Sequence, residues 1–235
     1  MSLPQATHAA FTLLLSGDPA LWGIVWISLK TSMLGLMLAT PPAVLLGYAI
    51  ASYRFPARRI VIWLVQATLS LPTVLVGLLL YLLLSRHGPW GSLHWLFSQP
   101  GMVLGQCIIA TPVLVAFTLA AVQALDARYA ETATALGGSR WRTMLTVLHE
   151  ARFGVMAAVI SGFGRVISEV GCALMVGGNI AGETRTITTA IALETSKGEF
   201  AQGIALGIVL VALALAMNGA LMLLQGDPRA AGGGP

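Results

Sequence analysis

Long apolar runs separated by short polar interruptions dominate this chain. Five runs, at about 21–52, 60–85, 101–125, 153–176 and 201–225, reach the roughly 20 helical residues needed to cross a hydrocarbon core. They predict transmembrane helices, because in lipid every backbone N–H and C=O must find its partner inside the protein. The first run is longer than a crossing requires and carries Lys30 near its start, so part of it lies in the outer interface or tilts. Pro41, Pro42, Pro72 and Pro112 fall inside three runs and predict kinks or local breaks. Gly203 and Gly207 form a small-xxx-small pair suited to close helix contact. Polar positions concentrate in two places: the segment 126–142, DARYAETATALGGSRWR, and the stretch from Ser161 to Phe200.

Composition agrees with the pattern. Of 235 residues, 57% are hydrophobic and only 9% charged. That is too little charge to cover the surface of a soluble domain, so the bilayer is the solvent. The net charge of +4 therefore reports topology and not nucleic-acid binding. Eight of the thirteen basic residues (Arg54, Arg58, Arg59, Arg128, Arg140, Arg142, Arg152 and Arg229) fall in loops on one side of the five-span pattern. Arg86, Arg185 and Lys197 fall on the other, and Lys30 and Arg165 lie within spans. The positive-inside rule then puts the N-terminus outside and the C-terminus in the cytoplasm. The expected organisation is an extracytoplasmic segment at 1–20, a membrane domain at 21–225 and a disordered Gly/Ala tail at 226–235. The first twenty residues carry no Lys or Arg, so the charged start of a signal peptide is absent from them. Cys107 and Cys172 sit in apolar runs and give neither a disulfide nor a metal framework.

The cytoplasmic segment resolves into parts. Asp126 can cap a short helix running through Glu131 to Ala135, with acidic groups suited to its first half. Gly137 and Gly138 supply a left-handed stop. Ser139 caps a second helix, RWRTMLTVLHEAR, that returns to the membrane. Tyr129, Ala133 and Leu136 share one face of the first helix, with Glu131 beside them. Spacing leaves two readings open: a connector that follows the headgroups, or a docking surface for a cytoplasmic partner.

In the second polar stretch, Arg165 and Glu169 are four residues apart on one helix face, where an unpaired charge at membrane depth is expensive. They are either a self-neutralising pair or part of an anion path. The order Arg before Glu is the weaker one for an intrahelical pair and favours partners on other helices. After Gly177-Gly178-Asn179 the chain is outside. There GETRTITTAIALETSKGEF predicts an amphipathic helix lying on or dipping into the membrane. Its threonines and N-terminal amides can contact an oxyanion; the alternative is a polar re-entrant loop that caps the bundle.

Glu131-Thr132-Ala133, three residues and then Gly137 resemble the EAA-xxx-G loop of ATP-binding cassette importer permeases. This sequence has Thr132 at the second position, and Val147-Leu148-His149-Glu150 replaces the downstream Ile-x-Leu-Pro element. SEVGCALMVGGNIAGETRTITTAI resembles the corresponding region of molybdate and sulfate permeases. ALETSKGEF, EARFG at 150–154 and LPTVLVGLLLYLLLSRHGP at 71–89 are most similar to tungstate-type permeases.

The resemblance spans roughly 21–225. It implies an all-α polytopic protein of about five spans in the importer-permease (MetI-like) fold, in a bacterial or archaeal inner membrane. It makes 126–138 a coupling helix with Glu131, Thr132, Ala133 and Gly137 on the ATPase. Candidate pathway residues are Arg165, Glu169, Asn179, Thr184 and Thr186. It further implies a homodimer embedded in lipid, two cytoplasmic ATPase subunits holding ATP and magnesium, and an extracytoplasmic binding protein that delivers an oxyanion, tungstate before molybdate or sulfate. No G-x-x-x-x-G-K-[ST] loop occurs in this chain, so ATP hydrolysis is expected elsewhere. A secondary anion transporter would need no EAA-like loop. An intramembrane hydrolase would need a nucleophile and base at membrane depth, whereas His8, His87, His94 and His149 lie outside the apolar runs.

Overall fold

The computed structural model describes residues 3–126 and 128–225. The expected tail at 226–235 lies outside the described residues. Every regular element among them is helical: α1 (Leu3–Leu15), α2 (Pro19–Ser52), α3 (Arg58–Thr68), α4 (Thr73–Leu84), α5 (Gln99–Gln123), α6 (Arg128–Ala135), α7 (Arg140–Glu150), α8 (Arg152–Ile167), α9 (Gly171–Gly177), α10 (Ile187–Lys197) and α11 (Phe200–Gln225), with one 3₁₀ turn at Gly91–Leu93.

Three helices, α2, α5 and α11, are individually long and apolar enough to cross a membrane. Two further candidate spans are broken pairs: α3 with α4, where the chain bends by 94°, and α7 with α8, where it bends by 72°. The run at 60–85 is thus broken where Pro72 predicted a kink or local break. Pro72 is the N-cap of α4, with φ −63° and ψ 120°, and it has no N–H with which to continue α3. Pro41-Pro42 and Pro112, by contrast, lie inside single continuous helices. The run 153–176 is interrupted too, since α8 ends at Ile167 and α9 begins at Gly171. Apolar side chains such as Leu15, Trp26, Leu215 and Met222 stand more than half exposed, as a lipid-facing surface requires.

The chain divides into two compact units. The first comprises 1–37, 71–109 and 163–215. Its core joins Ala10 of α1 and Leu21, Ile24 and Val25 of α2 to Ile187 and Ala190 of α10 and Ala205 and Leu206 of α11. Within it α4 lies against α9 with almost no gap. A Cβ on Gly77 would stand 2.8 Å from Cys172 Cα, and one on Gly171 would stand 2.5 Å from Val74 Cγ2. Within this chain Gly207 has open space around it, and Gly203 meets only the Thr195 hydroxyl, at 3.5 Å.

The second unit comprises 38–70, 110–162 and 216–235. Tyr48, Met144 and Val147 form its buried cluster, with Val122, Leu125, Ala130 and Leu148 packed against it. The missing side chain of Gly47 admits Thr118, whose Cβ would be 2.9 Å from an added methyl.

Candidate coupling surface and anion path

In the second unit, α6 and α7 form the expected helix–stop–helix. Asp126 Oδ1 accepts the Arg128 N–H at 3.0 Å, and its carboxylate lies 3.8 Å from the Arg128 guanidinium. The stop is a Schellman motif. Gly137, at φ +80°, donates to Thr134 O, and Gly138 donates to Ala133 O, each at 3.0 Å. Ser139 Oγ accepts the Arg142 N–H and opens α7. Of the expected coupling residues, Glu131, Thr132 and Gly137 are exposed and Ala133 is half-buried. Tyr129 is exposed on the same short helix, and Leu136 at its end is 83% exposed. This apolar and acidic edge has no covering from its own unit.

Beside α6 opens a cleft of about 760 Å³, lined by Tyr48, Tyr53, Arg54, Arg58, Tyr129, Glu131 and Arg140 among others. Arg58 does not point freely into it. Its Nε donates to Ile50 O at 2.7 Å and its Nη2 to Ala51 O at 3.0 Å, which satisfies the last carbonyls of α2. The exit of α7 is resolved without the proline found in the family motif. Ala151 ends the helix at φ −77° and ψ 0°, and Arg152 Nη1 donates to His149 O at 3.1 Å. The same guanidinium lies 4.7 Å from the Phe153 ring centroid, within cation–π range.

In the first unit, Arg165 Nη1 donates to Glu169 Oε2 at 3.1 Å, so the i,i+4 pair exists despite its weaker order. The pair is lopsided, with the Glu169 side chain 2% exposed and that of Arg165 36% exposed. Glu169 also accepts the Cys172 N–H at 2.9 Å, fixing the start of α9, while its own carbonyl accepts from Thr188 Oγ1. Desolvating this carboxylate is offset by a charge and a backbone donor.

Asn179, Thr184 and Thr186 are engaged in holding their own loop. Asn179, at φ +54°, accepts from Thr189 Oγ1 at 3.0 Å. Thr184 Oγ1 donates to Gly177 O and accepts the Ile180 N–H. Thr186 and Thr189 make a reciprocal capping box at the start of α10. Ile187, Thr188, Thr189, Ala190 and Glu194 of α10 are all buried, which favours the polar loop that caps the bundle over a helix lying on the surface. The threonine hydroxyls satisfy one another and the backbone, which lets a polar turn enter an apolar interior.

Two residues that sequence reasoning missed tie this region together. Ser28 Oγ accepts the Ile187 N–H at 2.7 Å. Gln99 accepts from Lys30 Nζ at 2.8 Å and donates to Glu183 O at 2.9 Å. Ser28 had a legible signal, since Ser28, Thr31 and Ser32 form a buried hydroxyl stripe at helical spacing within α2. Gln99, the first residue of α5, had none.

Comparison with known proteins follows the same lines. The family model described as "Binding-protein-dependent transport system inner membrane component" matches residues 43–229. The chain is 38% identical to the tungstate uptake system permease protein TupB of Campylobacter jejuni, covering 89% of this chain and 87% of that one. It is 40% identical to a probable anion ABC transporter permease protein of Haloferax volcanii, covering 83% and 86%. It is 29% identical to the molybdenum transport system permease protein ModB of Escherichia coli K12, covering 85% and 90%. Among solved structures, a bacterial alginate ABC transporter in complex with alginate pentasaccharide-bound periplasmic protein aligns with a TM-score of 0.73. That match has 20% identity and covers 96% of this chain and 84% of that one, a likeness of fold.

Proposed function

Because the chain belongs to the inner membrane components of binding-protein-dependent transport systems, we propose that it is the permease subunit of an ATP-driven importer whose cargo is a tetrahedral oxyanion, tungstate first. It is a multi-pass plasma-membrane protein. The assignment of cargo rests on the relatives that carry a tungstate or anion designation at 38% and 40% identity. Molybdate is the second reading, supported by the more distant molybdenum permease.

The observation that carries the mechanism is α6: a short, capped, exposed helix closed by a Schellman turn and presenting Glu131 and Thr132 to solvent. In our reading it docks on a separate ATPase subunit, which holds the ATP and magnesium. Two copies of this chain form the pathway, and an extracytoplasmic protein delivers the anion. Closure of the ATPase pair draws the two α6 helices together and opens the pathway outward; hydrolysis reverses it. The chain acts as a lever and performs no covalent chemistry. The distribution of charge supports an orientation with α6 in the cytoplasm, since Arg54, Arg58, Arg59, Arg128, Arg140, Arg142 and Arg152 all belong to the second unit. Arg165, only partly neutralised and partly exposed, is the candidate pathway cation; Glu169 positions it.

The test is uptake of radiolabelled tungstate into proteoliposomes holding the permease, its ATPase and its binding protein. Glu131→Lys is expected to abolish ATP-dependent uptake while the permease remains inserted. Undiminished uptake by this variant would sink the docking role of α6, and uptake without ATP would favour a secondary transporter.

A further inference from the structure

The first helices of the two broken pairs, α3 and α7, carry a feature the transport cycle does not use. Helix α3 has no buried residue. Ile60, Trp63, Leu64 and Ala67 follow the i, i+3, i+4, i+7 spacing of an apolar stripe, yet all four are exposed, Trp63 by 64%. Arg59 borders that stripe. Helix α7 repeats the arrangement. Met144 and Val147 bury one side, while Trp141 and Leu145 are exposed on the other, Trp141 by 61%, with Arg142 beside them. At its end the chain bends by 72° into α8, so α7 does not continue the direction of the apolar helix that follows. Both helices belong to the second unit, and their first turns border the same cleft through Arg58 and Arg140.

Charge identifies the occupant. Among the described residues, Arg59, Arg140 and Arg142 take part in no ion pair, whereas Arg128 is paired with Asp126 and Arg58 holds the end of α2. An exposed Trp/Leu stripe edged by unpaired arginines is the pattern of a helix lying in the headgroup region. There the indole sits at the boundary and the guanidinium snorkels to phosphate. We propose that α3 and α7 are in-plane helices that hold anionic phospholipid: Ile60, Trp63, Leu64, Trp141 and Leu145 enter the acyl boundary, and Arg59, Arg140 and Arg142 bind the headgroup phosphates. The lipid then fixes the surface from which α6 projects, placing the coupling helix at a set height above the membrane.

The experiment uses the full-length permease, purified with its ATPase and placed in nanodiscs. The discs contain brominated phosphatidylglycerol or brominated phosphatidylcholine at equal fraction. Tryptophan fluorescence is expected to be quenched more by the anionic lipid. Trp63→Phe with Trp141→Phe should remove most of that excess. Replacing Arg59, Arg140 and Arg142 together by Gln should abolish the excess, while replacing them by Lys should retain it. The preference should fall by about fivefold for each charge removed. Equal quenching by the two lipids overturns the proposal, as does an excess that survives the Gln variant. Protection of Trp63 or Trp141 by the ATPase or by a second copy of this chain also overturns it, since either would then be what covers the face.

Discussion

Gly137 sits in left-handed backbone at φ +80°, and a Cβ on Gly138 would come within 2.5 Å of Ala133 O. The two glycines act in different ways, one through conformation and the other through close approach. A β-branched residue at position 137 costs about 1–2 kcal/mol in that conformation. Gly137→Val is therefore expected to unwind the last turn of α6 while the membrane helices stay intact. In proteoliposomes the ratio of tungstate taken up to ATP hydrolysed should fall sharply. Gly207→Ala, at a glycine with nothing within 4 Å, should leave that ratio unchanged and serves as the control. An unaltered ratio for Gly137→Val would mean that the turn does not set the helix. The left-handed stop was legible from sequence because the requirement for φ > 0 is local. The exit of α7 was not: Arg152 stabilises His149 O and stacks on Phe153, and no spacing rule announces that an arginine will stand in for a missing proline.

At the scale of elements, the run 60–85 shows what hydropathy can and cannot say. Apolar residues are equally at home in one straight helix or in two that diverge, so composition located the membrane segment, and the break within it was legible as a proline but not as an angle of 94°. Pro72 was the only mark of the corner. Helix α10 was left with two readings. Its threonines suited either a surface or a polar loop capping the bundle; reciprocal hydroxyl bonds let them be buried, and the bond of Ser28 with Ile187 that selects between the two is tertiary information. That anchor makes a prediction. Ser28→Ala would leave the buried Ile187 N–H without an acceptor, at a cost of about 1–3 kcal/mol. Thermal unfolding of the detergent-solubilised protein should show a lowered midpoint. Ser32→Ala, at a neighbouring buried hydroxyl on α2, should shift it less. Equal effects of the two would remove the special role of the Ser28 contact.

For the whole molecule, the question is where selectivity for the anion resides. Asn179, Thr184 and Thr186 have their polar atoms occupied by their own loop, and the Glu169 carboxylate would repel a dianion. Arg165 is left as one partly neutralised cation. A conduction path gains nothing from tight ligation, because a strongly held ion leaves slowly. The permease alone is therefore expected to bind tungstate with Kd no tighter than about 1 mM, a binding free energy of about −4 kcal/mol. The assembled importer should saturate at far lower concentrations, set by its binding protein. Isothermal titration of the permease in nanodiscs against sodium tungstate checks this directly. Saturable micromolar binding, lost in Arg165→Ala, would place a true anion site in this chain. Millimolar binding, with Arg165→Ala abolishing transport but still recruiting the ATPase, would make Arg165 a stepping-stone that lowers the barrier without storing the ion. On that outcome, exchanging the binding protein for a molybdate-selective one should change the preferred cargo while this chain stays the same.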